Sequence, residues 1–257
     1  MDDRSLVEHS GDYGYDARYA LLGFAGAATV ALVAAVVLAF RHQFGATRPA
    51  LAYFTIFGIN AASFFYTTRW GKFIEWARLI DAIEWRGDER VLDLGCGRGA
   101  VLTMVARRLT TGMVTGFDLW TTRDQSGLSE RACRDNAVRE GVSDRVVLRT
   151  GDMRALPFAD ASFDVVVSSL AIHNIPTASG RALAIQHAAR VLAPGGRLVI
   201  ADIRRTGVYA RELRRLGMRD VATRRLGWRF WYGNPFAGTS LVTASKPVTS
   251  GANVRIA

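Results

Sequence analysis

Residues 90–100 have the sequence RVLDLGCGRGA, and the interpretation of the whole chain depends on them. Apolar, β-favouring residues surround Asp93, and glycine follows at positions 95, 97 and 99. A helical pattern, VLTMVARRL, comes directly afterwards. A buried strand that ends in a glycine turn and opens into a helix lets the backbone approach a ligand closely, because no Cβ blocks it. The stretch therefore predicts a ligand site at the carboxyl end of a parallel sheet.

The glycine pattern alone fits two classes of cofactor domain. Gly95-x-Gly97-x-x-Ala100 also satisfies the dinucleotide pattern of the nicotinamide enzymes, whose third position accepts alanine. The next predicted strand, GMVTGFD, ends at Asp118, where an acid can accept both hydroxyls of an adenosine ribose. Both classes use such an acid. Asp118 therefore indicates a nucleoside cofactor without identifying it.

Three elements further along the chain distinguish the two classes. RVVLRTGDMRALPFAD predicts a third strand that ends at Gly151-Asp152-Met153 and is followed by Leu156-Pro157-Phe158. SFDVVVSSLAIHNI predicts an apolar fourth strand, and ARVLAPGGRLVIADI predicts a helix, a Pro194-Gly195-Gly196 turn and a fifth strand. In this order the elements resemble the class I S-adenosylmethionine-dependent methyltransferases, in particular the ubiquinone/menaquinone-biosynthesis type of domain. The resemblance covers residues 86–203 and is weaker beyond, where a closing antiparallel hairpin is expected.

This resemblance implies a fold, a cofactor and a set of binding residues. The fold would be α/β and Rossmann-like, with a seven-stranded, mostly parallel sheet and flanking helices, and the methyl donor would be S-adenosylmethionine. Asp152 would receive the adenine amino group while Met153 covers the ring, and Trp120 is expected to stack on the adenine. The expected cofactor-binding residues are Asp93, Gly95, Cys96, Gly97, Gly99, Asp118, Leu119, Trp120, Asp152, Met153 and Ser169.

One candidate catalytic residue follows the fourth predicted strand. His173 would lie at the edge of the sheet where a methyl acceptor binds, and a histidine there can act as a general base. The alternative is a structural histidine that bonds to nearby backbone. Just beyond the expected ribose site, Asp124, Gln125 and Ser126 either border the acceptor pocket or begin a helix capped by Ser126 or Ser129.

Two apolar segments precede the cofactor domain. Residues 20–40 carry no charge, and at 1.5 Å per residue their length matches a hydrocarbon core of roughly 30 Å. We interpret them as a transmembrane helix. A core helix of this length would carry a polar face, and a cleaved signal peptide would follow a basic rather than an acidic segment. Residues 51–68 are less uniform, with Asn60, Ser63 and Thr67 on one stripe. They predict either a second transmembrane helix or an interfacial helix.

The basic residues indicate the orientation. A hairpin would place Arg4, Arg18, Arg69, Lys72 and Arg78 inside and only Arg41 and Arg48 outside. A single span with an outside N-terminus also leaves the C-terminal domain in the cytoplasm, so we expect a cell-membrane protein with a cytoplasmic catalytic domain. The expected segments are a flexible or loosely helical tail at 1–19, an anchor at 20–68, a linking amphipathic helix at 69–89, a methyltransferase domain at 90–247 and a flexible tail at 248–257.

The net charge of +10 comes almost entirely from arginine. Nine arginines form a stripe near the C-terminus, namely 204, 205, 211, 214, 215, 219, 224, 225 and 229. Nucleic-acid binding would favour aromatic residues interleaved with such a stripe, whereas a lipid bilayer needs only a basic face. Because an apolar anchor is already present, we expect a bilayer and no nucleic acid; a solvated helix face is the alternative. The aromatic residues Trp228, Phe230, Trp231, Tyr232 and Phe236 are expected to line a pocket or lie at the interface.

The sequence as a whole predicts a membrane-anchored methyltransferase that acts on a lipophilic small molecule. The only two cysteines lack the spacing of a metal site, so neither a metal nor a disulfide is expected. Two other functions stay open: a nicotinamide-dependent oxidoreductase and a non-catalytic membrane scaffold with a degenerate cofactor domain.

Overall fold

A seven-stranded sheet forms the centre of the computed structural model, which describes residues 9–120 and 129–248. The strands are β1 (Arg90–Leu94), β2 (Met113–Asp118), β3 (Val146–Thr150), β4 (Phe163–Ser169), β5 (Leu192–Ile203), β6 (Arg219–Arg225) and β7 (Thr239–Ser245). Their order is β3-β2-β1-β4-β5-β7-β6, and only β7 runs antiparallel to its neighbours. The expected Rossmann-like, mostly parallel sheet and its closing hairpin are confirmed.

Helices cover both faces of this sheet. The α-helices are α1 (Arg18–Phe40), α2 (Phe44–Tyr66), α3 (Lys72–Asp81), α4 (Ala100–Ala106), α5 (Glu130–Arg139), α6 (Ala178–Val191) and α7 (Thr206–Arg215). One apolar layer includes residues of α3, α4 and α5, and the other includes residues of α6 and α7. Successive side chains of a strand point to opposite faces, so Val91 packs in the first layer while Leu92 packs in the second. Burial on both faces explains why the central strands are almost continuously apolar.

Helices α1 and α2 form an antiparallel pair joined by a short turn at residues 41–43. Both are long and apolar enough to cross a membrane, with mean hydropathies of 2.5 and 1.2 in their most apolar windows, and only 11% of each window is buried. Helix α2 begins at Phe44, earlier than the predicted position 51. Arg48 and Pro49 interrupt the apolar run but not the helix, and this explains the difference.

The linking helix is shorter than predicted. A π-helical turn, Thr67–Gly71, joins α2 to α3, which ends at Asp81 rather than at residue 89. The buried carboxylate of Glu89 accepts hydrogen bonds from the backbone N–H groups of Arg86 and Gly87, at 2.6 and 3.0 Å. These bonds hold a turn where the periodicity had predicted helix, because a side-chain acceptor stabilises non-helical backbone.

Residues 9–17 are not the flexible tail that the sequence predicted. They form a packed segment, called here the N-terminal strap, which lies across α4 and α5. The side chain of Tyr13 is 3% exposed, and its hydroxyl bonds to Thr103 and Glu140 at 2.8 and 2.9 Å. The amide of Asn136 donates to the carbonyl of Asp12 at 2.8 Å. Long-range contacts of this kind fix a segment that has no periodicity of its own. Residues 1–8 lie outside the described part of the chain, as do 249–257 of the predicted C-terminal tail.

Candidate active site

The carboxyl ends of the parallel strands open into a cavity of about 830 Å³. It extends from the sheet edge to the base of the α1–α2 pair, where the strap also meets it. Most of the residues predicted to bind the cofactor, together with the candidate base, line this cavity. They are Asp93, Gly95, Cys96, Gly97, Asp118, Leu119, Asp152, Met153, Ser169 and His173.

The glycine turn after β1 lets other groups lie close to its backbone. Gly95 has a φ of 71°, and a Cβ at that position would stand 2.1 Å from the Cβ of Ala171. The backbone N–H of Gly97 donates to the carboxylate of Asp118 at 2.9 Å, so the turn is tied to the end of β2. Gly99 is not among the cavity residues. It is the N-cap residue of α4 and has a φ of 85°. A Cβ added there would lie 2.8 Å from the Sγ of Cys133.

Asp93 supplies the test of whether the cavity fits S-adenosylmethionine. Its side chain is 1% exposed, and its carboxylate oxygens make no well-formed hydrogen bond; the backbone N–H of Leu102 stabilises the carboxylate only weakly. Burial, and next the charge of Asp118, raise the pKa of Asp93 to about 8. A buried acid without a partner is costly unless a cation compensates it. The cationic methionine portion of S-adenosylmethionine would do so, and the residues therefore fit this cofactor.

Asp118 is placed to hold a ribose. Its two carboxylate oxygens accept the backbone N–H groups of Gly97 and Trp120, at 2.9 and 2.7 Å. These bonds orient the carboxylate, and each oxygen has a further lone pair for a hydroxyl. Trp120, which the sequence analysis placed on the adenine, is not among the residues that line the cavity. Its indole N–H instead donates to the hydroxyl of Thr150 at 2.8 Å.

Asp152, the residue predicted to bind the adenine amino group, already pairs with an arginine. Arg154 donates from Nε to Asp152 Oδ2 at 2.8 Å, and this interaction holds the pKa of Asp152 below its usual value. Met153 lies beside the glycine turn, with its methyl carbon 3.4 Å from a Cβ built on Gly95. The hydroxyl of Ser169 accepts the indole N–H of Trp76 at 2.9 Å. Asp152 and Met153 both line the cavity, and an adenine amino group would share Asp152 with Arg154.

His173 belongs to a dyad that the sequence analysis did not find. Its Nδ1 lies 2.5 Å from Oδ1 of Asp202, a fully buried carboxylate near the end of β5. Asp202 also accepts the backbone N–H groups of His173 and Ile203 and the hydroxyl of Tyr209, at 3.0, 2.8 and 3.1 Å. Burial and the charge of Asp202 raise the pKa of Tyr209, so its phenol remains a donor. The available signal was an acid near the end of the apolar run LVIADI, the same signal that identified Asp118.

The part of the cavity that faces the two long helices is mostly apolar and also includes residues of the strap and α3. Its apolar lining residues are Ala17, Tyr19, Ala20, Phe24, Phe64, Phe73 and Trp76, beside the charged Asp16 and Lys72. Tyr232 and Ala237 complete the wall from residues 226–238, which join β6 to β7 and are called here the aromatic loop.

A buried polar cluster holds these walls together. The ammonium of Lys72 and the hydroxyl of Tyr232 both donate to the carboxylate of Asp16, at 2.8 and 2.9 Å. Asp16 belongs to the strap, Lys72 begins α3 and Tyr232 lies in the aromatic loop. Burial, and then Asp16, raise the pKa of Tyr232, which keeps its hydroxyl protonated.

The predicted residues Asp124, Gln125 and Ser126 lie outside the described part of the chain. The alternative cap, Ser129, is observed: its hydroxyl accepts the backbone N–H of Ala132 at 3.1 Å at the start of α5.

Comparison with known proteins gives matches within this domain. Residues 92–200 match the family described as methyltransferase domain. A 27-O-demethylrifamycin SV methyltransferase from Amycolatopsis mediterranei is 40% identical over 49% of this chain and 42% of its own length. The ubiquinone/menaquinone biosynthesis C-methyltransferase UbiE of Roseobacter denitrificans is 32% identical over 48% of this chain and 46% of its own. The chain thus spans less than half the length of these relatives.

The fold has solved counterparts as well. The crystal structure of the cyclase SpnF superposes with a TM-score of 0.56 at 23% identity, covering 70% of this chain and 83% of that one. This similarity concerns the fold alone. The matched sequence, the sheet order and the fit of the cavity support a methyltransferase domain around residues 92–200, with S-adenosylmethionine as its cofactor.

Proposed function

We propose that the protein is a membrane-anchored methyltransferase that methylates a hydroxyl group on a lipophilic small molecule. One observation carries this proposal. A single cavity contains the cofactor residues, the His173–Asp202 dyad and apolar side chains from the base of the two long helices.

The apolar lining favours a lipophilic acceptor. Phe24 and Phe64, from the two long helices, contribute to the same wall as Phe73 and Trp76 of α3. An acceptor dissolved in the bilayer would be concentrated near this wall, whereas a water-soluble acceptor would gain nothing from the anchor. The relatives named for rifamycin and for quinone biosynthesis support a small-molecule acceptor.

The dyad supplies the proton chemistry for a hydroxyl acceptor. Asp202 accepts the Nδ1–H of His173, and in that tautomer of the neutral ring Nε2 is the acceptor that can take the hydroxyl proton. General-base assistance of this kind contributes about 10²–10⁴-fold in rate. When bound, S-adenosylmethionine supplies a methyl group on a positively charged sulfur, which the acceptor oxygen displaces. Asp93 would face the cationic part of the cofactor, and Asp118 its ribose. The cavity walls exclude water and align the reactants.

The contacts of the N-terminal strap favour a membrane hairpin of two helices rather than a single membrane span. Its residues bond to the catalytic domain, for example Asp12 to Arg98 at 2.8 Å, so the chain enters α1 on the same side as it leaves α2. The turn at residues 41–43 would then lie on the far side of the bilayer. Arg18 and Arg69 mark the near side, and with Lys72 and Arg78 they give that side the basic excess expected of the cytoplasm.

The test is product identification with the full-length protein in vesicles. Membrane lipid extracts and a donor with an isotope-labelled methyl group are supplied, and the products are separated and analysed by mass. We expect label in a lipid-soluble product as a methyl ether, absent with His173→Ala. Label found only in water-soluble compounds, or no label at all, would contradict the proposal.

A further inference from the structure

The aromatic loop exposes large apolar side chains at an unusual place. Phe236 is 94% exposed and Trp228 is 54% exposed, whereas Phe230 and Tyr232 of the same loop are buried. Exposed aromatic residues next to apolar surface commonly mark an interaction site. In this case the neighbouring surface is the pair of long helices.

The loop is fixed against the base of these helices. The side chain of Asn234 donates to that of Asn60 at 3.0 Å, and the hydroxyl of Thr67 donates to the carbonyl of Trp231 at 2.6 Å. The ring of Trp228 stacks on that of Tyr66, with 5.2 Å between their centroids. The loop therefore lies beside the last turns of α2 and has a defined level along the hairpin.

That level can be compared with the thickness of a bilayer. Asn60 lies sixteen positions after Phe44, and Phe40 lies sixteen positions after Phe24. Each stretch is about 24 Å long at 1.5 Å per residue. The hydrocarbon core is about 30 Å thick. If the core begins at the turn between the helices, the level of Asn60 lies a few ångströms inside its near boundary. The membrane–water interface, where Trp and Tyr are enriched, lies immediately beyond this level.

The fold also brings part of the arginine stripe to this end of the molecule. In the strand pairing Arg225 lies opposite Ser240, and Ser240 lies opposite Asp202 at the carboxyl end of β5. The exposed residues Arg204, Arg205, Arg224 and Arg225 therefore share the sheet edge from which the aromatic loop extends. Arg219 lies at the opposite edge, across β7 from Arg197. The arginine stripe is thus divided between the two edges of the sheet, and four of its arginines lie at the same edge as the aromatic loop.

We infer that the aromatic loop is a second membrane contact, which inserts Phe236 and Trp228 into the near leaflet of an anionic bilayer. This inference rests on the proposed membrane hairpin. The four arginines meet the acidic headgroups around the inserted rings. Tyr232 and Ala237 of the same loop line the cavity, so insertion brings the mouth of the active site to the membrane surface.

The test measures the depth of single labelled positions. Phe236→Cys is labelled with an environment-sensitive fluorophore and reconstituted in phosphatidylcholine–phosphatidylglycerol vesicles that contain lipid-borne quenchers. The native Cys96 and Cys133 are buried, and the protein without an introduced cysteine is the control for any label that they take up. Val33→Cys, 57% exposed on α1, reports the hairpin. Leu183→Cys, 44% exposed on α6, reports the opposite face of the sheet.

We expect emission from position 236 to shift to the blue and to be quenched severalfold more than emission from position 183. Quenching at position 33 but not at 236 would overturn the loop insertion and leave the anchor intact. Absence of quenching at both 33 and 236 would overturn the anchor itself, and with it this inference.

Discussion

At the scale of single residues, the site combines one unpaired acid with one fully paired acid. Asp93 makes no well-formed hydrogen bond, whereas Asp202 accepts four, from three residues. The first costs stability until a cation binds, while the second orients a histidine permanently. This contrast leads to two predictions that separate binding from catalysis.

The first prediction concerns pH and Asp93. The pKa of this carboxyl is about 8 in the folded protein and about 3.9 in an unfolded chain, so folding takes up a proton between these values. The cofactor-free protein should therefore lose stability as pH rises from about 4 to 8, by an amount of the order of a few kcal/mol, and then level off. Asp93→Asn should lack this loss. Urea unfolding in detergent at several pH values measures it.

The donor provides a second readout for Asp93. S-adenosylmethionine should bind the wild type more tightly as pH rises towards 8, because the ionised carboxylate then needs no proton release, and this trend should vanish in Asp93→Asn. If the free energy of unfolding depended on pH in the same way in the wild type and in Asp93→Asn, the raised pKa of Asp93 would be contradicted.

The second prediction concerns the dyad. Asp202→Asn should lower turnover by about 10²–10⁴-fold, since the amide no longer stabilises the Nδ1–H form of His173. The affinity for the donor, measured by calorimetry, should change little. Tyr209→Phe removes one donor to Asp202 without touching the histidine and serves as the matched control, with turnover near that of the wild type. Wild-type turnover in Asp202→Asn would return His173 to a structural role.

At the scale of elements, the N-terminal strap is the segment whose structure departs furthest from the sequence prediction. It crosses α4, the helix that follows the glycine turn, and it bonds to side chains of α5. Its Asp16 also joins α3 and the aromatic loop through Lys72 and Tyr232. The strap therefore connects the start of α1 with both sides of the cavity.

The third prediction tests the strap by a pair of substitutions. Tyr13→Ala should destabilise the protein by about 3–5 kcal/mol, the usual cost of removing a buried large aromatic ring. Tyr13→Phe keeps the ring and loses only the bonds to Thr103 and Glu140, a cost of about 1–2 kcal/mol. Denaturant unfolding in detergent gives both values. If Tyr13→Ala cost no more than Tyr13→Phe, the ring would not be part of the core.

At the scale of the whole molecule, the hairpin base and the catalytic domain share one cavity. Deleting the hairpin would therefore remove a wall of the cavity as well as the proposed anchor, since Phe24 and Phe64 line it. The distal halves of the two helices contribute no lining residue, and several of their side chains are exposed.

The fourth prediction uses these distal halves. Replacing the exposed Val30, Val33, Val37 and Leu51 by polar residues should weaken membrane insertion and leave the cavity unchanged. The rate on an acceptor held in vesicles should fall severalfold, while the rate on the same acceptor in detergent should stay at the wild-type value. Equal rates in vesicles would mean that the anchor does not deliver the acceptor.

The sequence by itself determined the cofactor domain, because its signals are local. The glycine turn at 95–99, the acids Asp118 and Asp152 at strand ends, and the apolar strands all depend on spacing within one or two elements. Short apolar runs and turn chemistry can be recognised over such distances. The same holds for the long apolar helix at 20–40, whose length alone suits a bilayer.

Only the tertiary structure decided which distant residues meet. Tyr13 contacts Thr103 across 90 positions and Asn60 contacts Asn234 across 174, and no local pattern encodes such a pair. Trp120 turned towards Thr150 because a neighbouring strand offered its hydroxyl. The shared cavity has the same origin: its cofactor end follows from strand ends that topology aligns, while its apolar end exists only because the strap, the hairpin base and the aromatic loop pack together.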